Sequence, residues 1–336
     1  MTVVNLKHKI IVSGLRIIYH LFYILFMFIM IMPSIGAEKY AGEALSLGVG
    51  ARALGMGGSF AAVADDSTSV YWNPAGLGGL DRTELVFMHS SLFGLDKYDF
   101  VSYVQPAGRK GTFGIGWIRV GIDDIPITEL KKPGFMSASN RPFISGYMQD
   151  TENAFLFSYG KGFSRLQVGG NLKFLYNAVS GIKRNAIGFG GDMGILWKSF
   201  PESSTSQISL GVVAQDFFKS RLIWNTTYSP SHTDIIYPNV KIGAAYSRLM
   251  KSIGGRLLFS MDANTRYGLE MHYGLEYMLA DLLSLRAGLE DSDFTAGAGL
   301  NIGFKGAKSE INFLIDYAFL SHELGNTHRI SLMTKF

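Results

Sequence analysis

Glu270, His272 and Glu276 recur at even spacing on one side of a single alternating segment, and Arg286 and Glu290 follow a short turn later. Carboxylates beside an imidazole are the parts of an acid–base site, and a site of that kind perturbs the protonation of its members. The same residues also make an ion-paired wall of a water-filled or plugged cavity, and the surrounding alternation favours that reading. The 7 His are scattered, and none is spaced as HxxxH or HExxH, so no metal centre is expected. With 0 Cys there is no thiolate nucleophile, thiolate metal ligand or disulfide. No serine lies in a nucleophile motif. Gly48-Val49-Gly50-Ala51-Arg52-Ala53 fits a loose dinucleotide fingerprint. That fingerprint needs a preceding buried strand and a βαβ unit, and neither is visible. The reading is a protein that is not an enzyme and takes no cofactor.

The elements that carry these residues are strands. From Glu84 onward, apolar and small or polar residues alternate with period two. In Ile187–Lys198 the residues Ile187, Phe189, Met193, Ile195 and Trp197 oppose Gly188, Gly190, Asp192, Gly194 and Lys198. Tyr267–Met278 and Leu166–Asn177 repeat the pattern. Runs of this length exceed the ~5–6 residues usual in soluble sandwiches. They match the ~9–11 that a tilted strand needs to cross a bilayer. One face is apolar with aromatic ends, as lipid requires, and the other carries Gly, Asp, Glu, Asn, Lys and His, as a lumen requires. The pattern predicts strands at 84–91, 97–105, 112–120, 153–160, 166–178, 187–198, 207–215, 239–247, 256–263, 267–278, 283–290, 294–305, 310–319 and 328–336. The fold class is therefore all-β: a single closed transmembrane antiparallel β-barrel of about fourteen strands. The two longest connections, Gly121–Glu152 and Asp216–Pro238, follow the third and seventh strands and so emerge at one rim. The short turns fall at the other, as in bacterial outer-membrane barrels. The last strand ends on Phe336, with Ile330 and Leu332 in phase.

Ahead of the strands, Leu47–Leu80 is rich in glycine and small residues and closes on Asn73-Pro74-Ala75-Gly76-Leu77. Such a segment can fold tightly inside a barrel. Pro74 fixes its own φ and pushes Asn73 out of the helical region, so the motif reads as a turn. Asp65 and Asp66 are expected to meet basic or amide groups of the lumen wall. The glycine spacing, the aspartate pair and Tyr71-Trp72-Asn73-Pro74-Ala75 together resemble the opening of FadL-like outer-membrane proteins, most of all their PorV/PorQ branch. That resemblance implies an N-terminal hatch inside a fourteen-stranded barrel in the bacterial outer membrane. It also implies, for FadL-like transporters, an inward strand kink that opens the wall. Gly114 and Gly116 of the third strand are the candidates for it, and making room for the hatch is the competing reading. The terminal strand resembles the closing strand that barrel-assembly machinery recognises.

The domain reading is residues 1–37 as a signal peptide, 38–82 as the hatch and 83–336 as the barrel. Lys7, Lys9 and Arg16 flank the apolar run Ile17–Met32, and small residues follow at Gly36 and Ala37. Removing those three cations takes the formal net charge from +4 to +1, so the basicity gives no case for a nucleic-acid partner.

Two connections are unusually apolar for loops: Gly121–Glu152 with Phe135, Phe143 and Tyr147, and Asp216–Pro238 with Phe217, Phe218, Trp224, Tyr228 and Tyr237. They are candidate contacts for a hydrophobic ligand or a protein partner, unless they bury one another. The resemblance implies two functions: passive uptake of long-chain fatty acids or similar hydrophobic molecules, or a non-catalytic barrel subunit of type IX protein secretion. Outer-membrane lipid surrounds the barrel in either.

Overall fold

A computed structural model describes residues 42–94, 96–134, 137–181, 184–199, 205–225, 232–305 and 310–336. The residues assigned to a signal peptide, together with Phe135 and Tyr228, lie outside these. After two short helices, α1 (Ala51–Leu54) and α2 (Ser69–Trp72), come β1 (Glu84–Leu92), β2 (Asp96–Pro106), β3 (Thr112–Glu129), β4 (Phe143–Phe163), β5 (Leu166–Val179) and β6 (Arg184–Lys198). Then follow β7 (Ser206–Gln215), β8 (Ser220–Trp224), β9 (Thr233–Ile236), β10 (Asn239–Met250), β11 (Gly255–Asn264) and β12 (Glu270–Leu279). The chain finishes with β13 (Leu283–Glu290), β14 (Asp293–Lys305), β15 (Glu310–Leu320) and β16 (Thr327–Lys335).

Each strand pairs antiparallel with its neighbour, and β1 pairs with β16 from Glu84↔Lys335 to Ser91↔His328, which closes the sheet. Thr83 and Phe336 extend that seam by exchanging two backbone hydrogen bonds of 3.1 and 2.9 Å. β7 and β8 both lie along β6, below and above a break at Asp216–Lys219, while β10 and β9 pair with them in turn. The sixteen segments thus form fourteen staves of a closed barrel. Closure satisfies every edge, which a sheet in hydrocarbon must do.

The outer wall is apolar, with Phe87, Phe113, Phe157, Leu172, Phe189, Leu285, Phe304 and Ile330 among its exposed side chains. Trp117, Phe155, Phe174 and Phe189 are cross-strand partners on β3 to β6, with successive ring centroids 6.5, 6.1 and 5.4 Å apart. They form an aromatic row of the kind that marks a membrane boundary.

Two segments expected to be loops are largely strand. β3 and β4 continue past this row, pairing Ile125↔Met148 through to Glu129↔Phe143. Register shifts at Ile122/Ile125 and Ile127/Thr128, and a left-handed Asp124 (φ 56°), interrupt the regular ladder of this hairpin. β8 and β9 build a second hairpin in the other connection. Both stand at the same rim. Tyr267 and Leu269, expected in a strand, precede β12.

Candidate functional site in the barrel lumen

Residues 42–82 fill the lumen, and the wall holds them in two different ways. Inward positions of β1 to β4 are mainly apolar and fully buried: Val86, Met88, Tyr98, Phe100, Val104, Ile118 and Leu156 join one core with Val49, Leu54, Phe60, Val70 and Leu77. Inward positions of β10 to β16 are mainly polar, and they bind the hatch backbone. The Asp262 carboxylate accepts from Phe60 N and Ala61 N, both at 2.8 Å. Thr295 Oγ1 accepts from Gly57 N at 3.0 Å, Ser260 Oγ donates to Ser59 O at 2.9 Å, and His272 Nδ1 lies 2.7 Å from Gly57 O. The hatch has too little regular structure to satisfy its own backbone groups, so the wall supplies their partners.

Glycines let that backbone come close. A Cβ at Gly288 would lie 2.3 Å from Gly57 N, one at Gly211 2.1 Å from Ala61 O, and one at Gly169 2.2 Å from Pro74 O. The wall glycines are therefore part of the seat. Sequence reasoning placed glycines such as Gly194 on the lumen face but gave them no role. The signal was present: a residue without a side chain, repeated on the inward phase of successive strands, means that something else occupies the space.

The motif residues fall at the junctions. Asn73 caps the turn that follows it, with Oδ1 accepting from Ala75 N at 3.1 Å. Its Nδ2 donates to Ala61 O at 2.7 Å and to Ile195 O of β6 at 3.3 Å. Pro74 and Ala75 lie against Gly169 of β5. The Trp72 indole donates to Val49 O at 2.8 Å, and the Tyr71 hydroxyl to Leu45 O at 2.7 Å. Burial pushes that hydroxyl's pKa up.

Asp65 and Asp66 do not reach the wall directly. Both pair with Arg52 of the hatch itself, and Asp66 Oδ1 also accepts from Thr68 N at 2.9 Å. The wall contact is one step further on. Arg52 makes two hydrogen bonds to Glu276, of 2.9 and 3.0 Å, and Glu276 is held by Arg286 at 2.6 Å, which reaches Asp316 at 2.6 Å. Burial alone would raise the Asp65 carboxyl, but the adjacent guanidinium outweighs it and holds the group below its ordinary pKa. Of the residues that could form an acid–base site, Glu270 accepts from Asn264 at 2.8 Å and His272 meets the hatch backbone, whereas Glu276 and Arg286 are joined in this ion-paired chain. A cavity of about 180 Å³ lies beside it, lined by Arg52, Asp65, Gln207, Ser209, Ser247 and Glu276 among others.

No bulge falls at Gly114 or Gly116. β3 pairs without a register shift from Thr112 to Ile122 on both flanks. A Cβ at either glycine would meet Val70 of α2, at 2.8 and 3.0 Å, so these glycines admit the hatch. The interruption of the wall lies elsewhere, between β6 and the β7–β8 stave. There Asp216 and Lys219 are left-handed (φ 52° and 59°), and Phe218 packs on Gly191. Inside that break Lys173 bridges Asp192, at 2.8 Å, and Asp216. Nothing in the sequence brought these three residues together.

The apolar connection residues separate. Phe143 and Tyr147 are 41% and 61% exposed on the projecting β3–β4 hairpin. Phe217 and Phe218 form an edge-to-face pair, centroids 4.5 Å apart, at the β7–β8 break. Trp224 packs against the core and donates to Asp234 at 2.6 Å, and Tyr237 lies under the Lys219 ammonium at 5.6 Å. They do not form one site.

The chain resembles solved channels and porins of low identity. It matches the CymD monoaromatic hydrocarbon channel with TM-score 0.46 and 12% identity over 86% of this chain and 97% of that one. The toluene transporter TodX of Pseudomonas putida matches with TM-score 0.45 and 12% identity over the same shares. The KdgM porin matches with TM-score 0.32 and 7% identity, covering 75% of this chain and 99% of the porin. Two UPF0164 proteins of Treponema pallidum (strain Nichols) are each 27% identical, over 176 and 166 residues. Those matches cover 49% and 48% of this chain but only 41% and 47% of the relatives, so the chain aligns with less than half of their length. Residues 32–207, more than half of the chain, match the profile of the uncharacterised protein family UPF0164, and the chain belongs to that family.

Proposed function

We propose that this barrel resides in the bacterial outer membrane and passively takes up hydrophobic small molecules, long-chain fatty acids or similar compounds, past its hatch. The observation that carries the reading is the apolar inner wall of β1 to β4, where Met88, Phe100, Ile118 and Leu156 line the lumen. An aqueous pore is lined by polar groups, whereas an apolar lining suits an apolar solute. The apolar outer wall and the FadL-like motif 47–80 support the location. In this reading the barrel performs no chemistry, and its ion-paired chain holds the hatch. The test is uptake of radiolabelled oleate by proteoliposomes containing the full chain. Wild type should exceed empty vesicles several-fold, and a hatch locked to the wall by an engineered disulfide should not, until reduced. Wild-type uptake equal to that of empty vesicles sinks the proposal.

A second reading rests on the β3–β4 hairpin, which carries exposed Phe143, Ile144 and Tyr147 well beyond the barrel rim. Such a patch on a stiff projection suits a protein contact. It supports a PorV/PorQ-like non-catalytic subunit of type IX secretion or surface attachment. Mass spectrometry of the mildly extracted protein separates the two. A near-stoichiometric apolar ligand supports uptake, and a stoichiometric large translocon barrel or surface protein, lost on trimming 125–148, supports the subunit.

A further inference from the structure

The rim of short turns carries two clusters of cations built to the same plan. In the first, Arg109 and Lys110 sit on the exposed turn between β2 and β3, and Lys161 stands on the outward phase of β4. The lipid-facing rings Phe113 and Tyr159 meet beside them, centroids 5.2 Å apart, and the Lys161 ammonium lies 5.6 Å from the centre of the Phe163 ring. The Tyr159 hydroxyl donates to Lys110 O at 2.6 Å, tying the turn to the aromatic belt. In the second cluster, Arg248 is outward on β10 and Lys251 lies on the exposed turn between β10 and β11. Here Tyr277 lies in the same cross-strand row as Arg248, through Leu257, and its hydroxyl donates to Ile253 O at 2.9 Å.

Among the described residues, none of these five cations is ion-paired. At the opposite rim two outward cations are neutralised by carboxylates, while Arg221 has no ion pair among the described residues. There the outward Lys97 is paired with Asp123 at 2.6 Å and Arg119 with Asp99 at 3.4 Å. Tyrosine hydroxyls mark the depth of the membrane interface, so cations placed just beyond them stand at the level of lipid phosphates.

We propose that these clusters, Arg109–Lys110–Lys161 and Arg248–Lys251, are two headgroup sites for anionic phospholipid in the leaflet at the short-turn rim. The inference rests on the membrane-barrel reading above. Each site combines unneutralised positive charge for the phosphate with a fixed aromatic platform for the upper acyl chain. The sites would anchor the barrel by that rim and fix its depth.

The test uses the full chain folded in detergent, mixed with equal amounts of phosphatidylglycerol and phosphatidylcholine and read by native mass spectrometry. Heat-modifiable gel mobility reports whether the barrel is folded. Wild type should retain phosphatidylglycerol in preference to phosphatidylcholine. Replacement R109Q/K110Q/K161Q should weaken that retention by roughly five-fold per cation removed, and R248Q/K251Q should do the same at the second site. K97Q/R119Q at the opposite rim should leave it unchanged, and millimolar inorganic phosphate should not compete. Equal retention by wild type and both cluster variants, or displacement by free phosphate, overturns the proposal. A wild type that never yields a folded band in detergent or lipid overturns the barrel reading itself, and this inference with it.

Discussion

The two sectors of the inner wall hold the same hatch by different balances of packing and hydrogen bonding. Along β1 to β4 apolar packing leads, with Val70 and Leu77 of the hatch in one core with Val104, Ile118 and Leu156. Hydrogen bonds stand beside it: Tyr98 to Gly48 O, Ser102 to Ser67 O, Ser67 N to Glu84 and Gly50 N to Met88. Along β10 to β16 the contact is wall side chain to hatch backbone, through Asp262, Thr295, Ser260 and His272, with glycines where the chains touch. Packing tolerates sliding, because dispersion and burial are not directional. Hydrogen bonding fixes position, because each bond needs its geometry.

The largest effect should come from Gly288→Val. Its side chain would start within 2.3 Å of Gly57 N, where only backbone can give way. The hatch should fail to seat, seen as rapid proteolysis within 47–80 while the barrel keeps its folded mobility. Leu156→Ala, on the apolar side, should cost about 3 kcal/mol in urea unfolding, within the usual range for a buried leucine. Asp262→Ala should cost about 2 kcal/mol, since it orphans the Phe60 and Ala61 amides. It should also speed exchange at those two amides specifically, which Leu156→Ala should not. Gly114→Ala should cost about 1 kcal/mol or less, because the contact is with a movable Val70 methyl.

The smallest effect is that of Asp65→Asn, and it depends on pH. The Asp65 pKa is depressed in the folded protein, so its contribution is complete above the ordinary carboxylate range and is lost as pH falls through the depressed value. The variant should match wild type more closely at acid pH than at neutral pH. A difference that is constant with pH would remove Asp65 from the ion-paired chain.

The barrel was legible because membrane strands must alternate over their full length, and Ile187–Lys198 or Leu283–Glu290 show little else. The parity of the two long connections was legible too. The β3–β4 extension was not, since beyond Trp117 and Phe155 it leaves the apolar zone and Asp123, Asp124 and Pro126 break the pattern. The hatch was legible from its small residues and the Asn73-Pro74-Ala75 turn. Its partners were not, because Arg52 with Glu276, Asp262 with Phe60 and Lys173 with Asp192 and Asp216 meet only through closure of the barrel. Gly114 and Gly116 left two readings open for a related reason: a glycine that makes room and a glycine that bends look alike until the neighbour, here Val70, is known.

The most direct test uses the absence of native cysteine. Val70→Cys and Gly114→Cys place two thiols where the hatch meets β3, because a Cβ at Gly114 lies 2.8 Å from Val70 Cγ1. Oxidation in isolated outer membranes should yield a disulfide that joins the α2 peptide to the β3 peptide by mass spectrometry. No such linked peptide, with both thiols open to a water-soluble maleimide, would mean that the hatch does not sit between the two sectors.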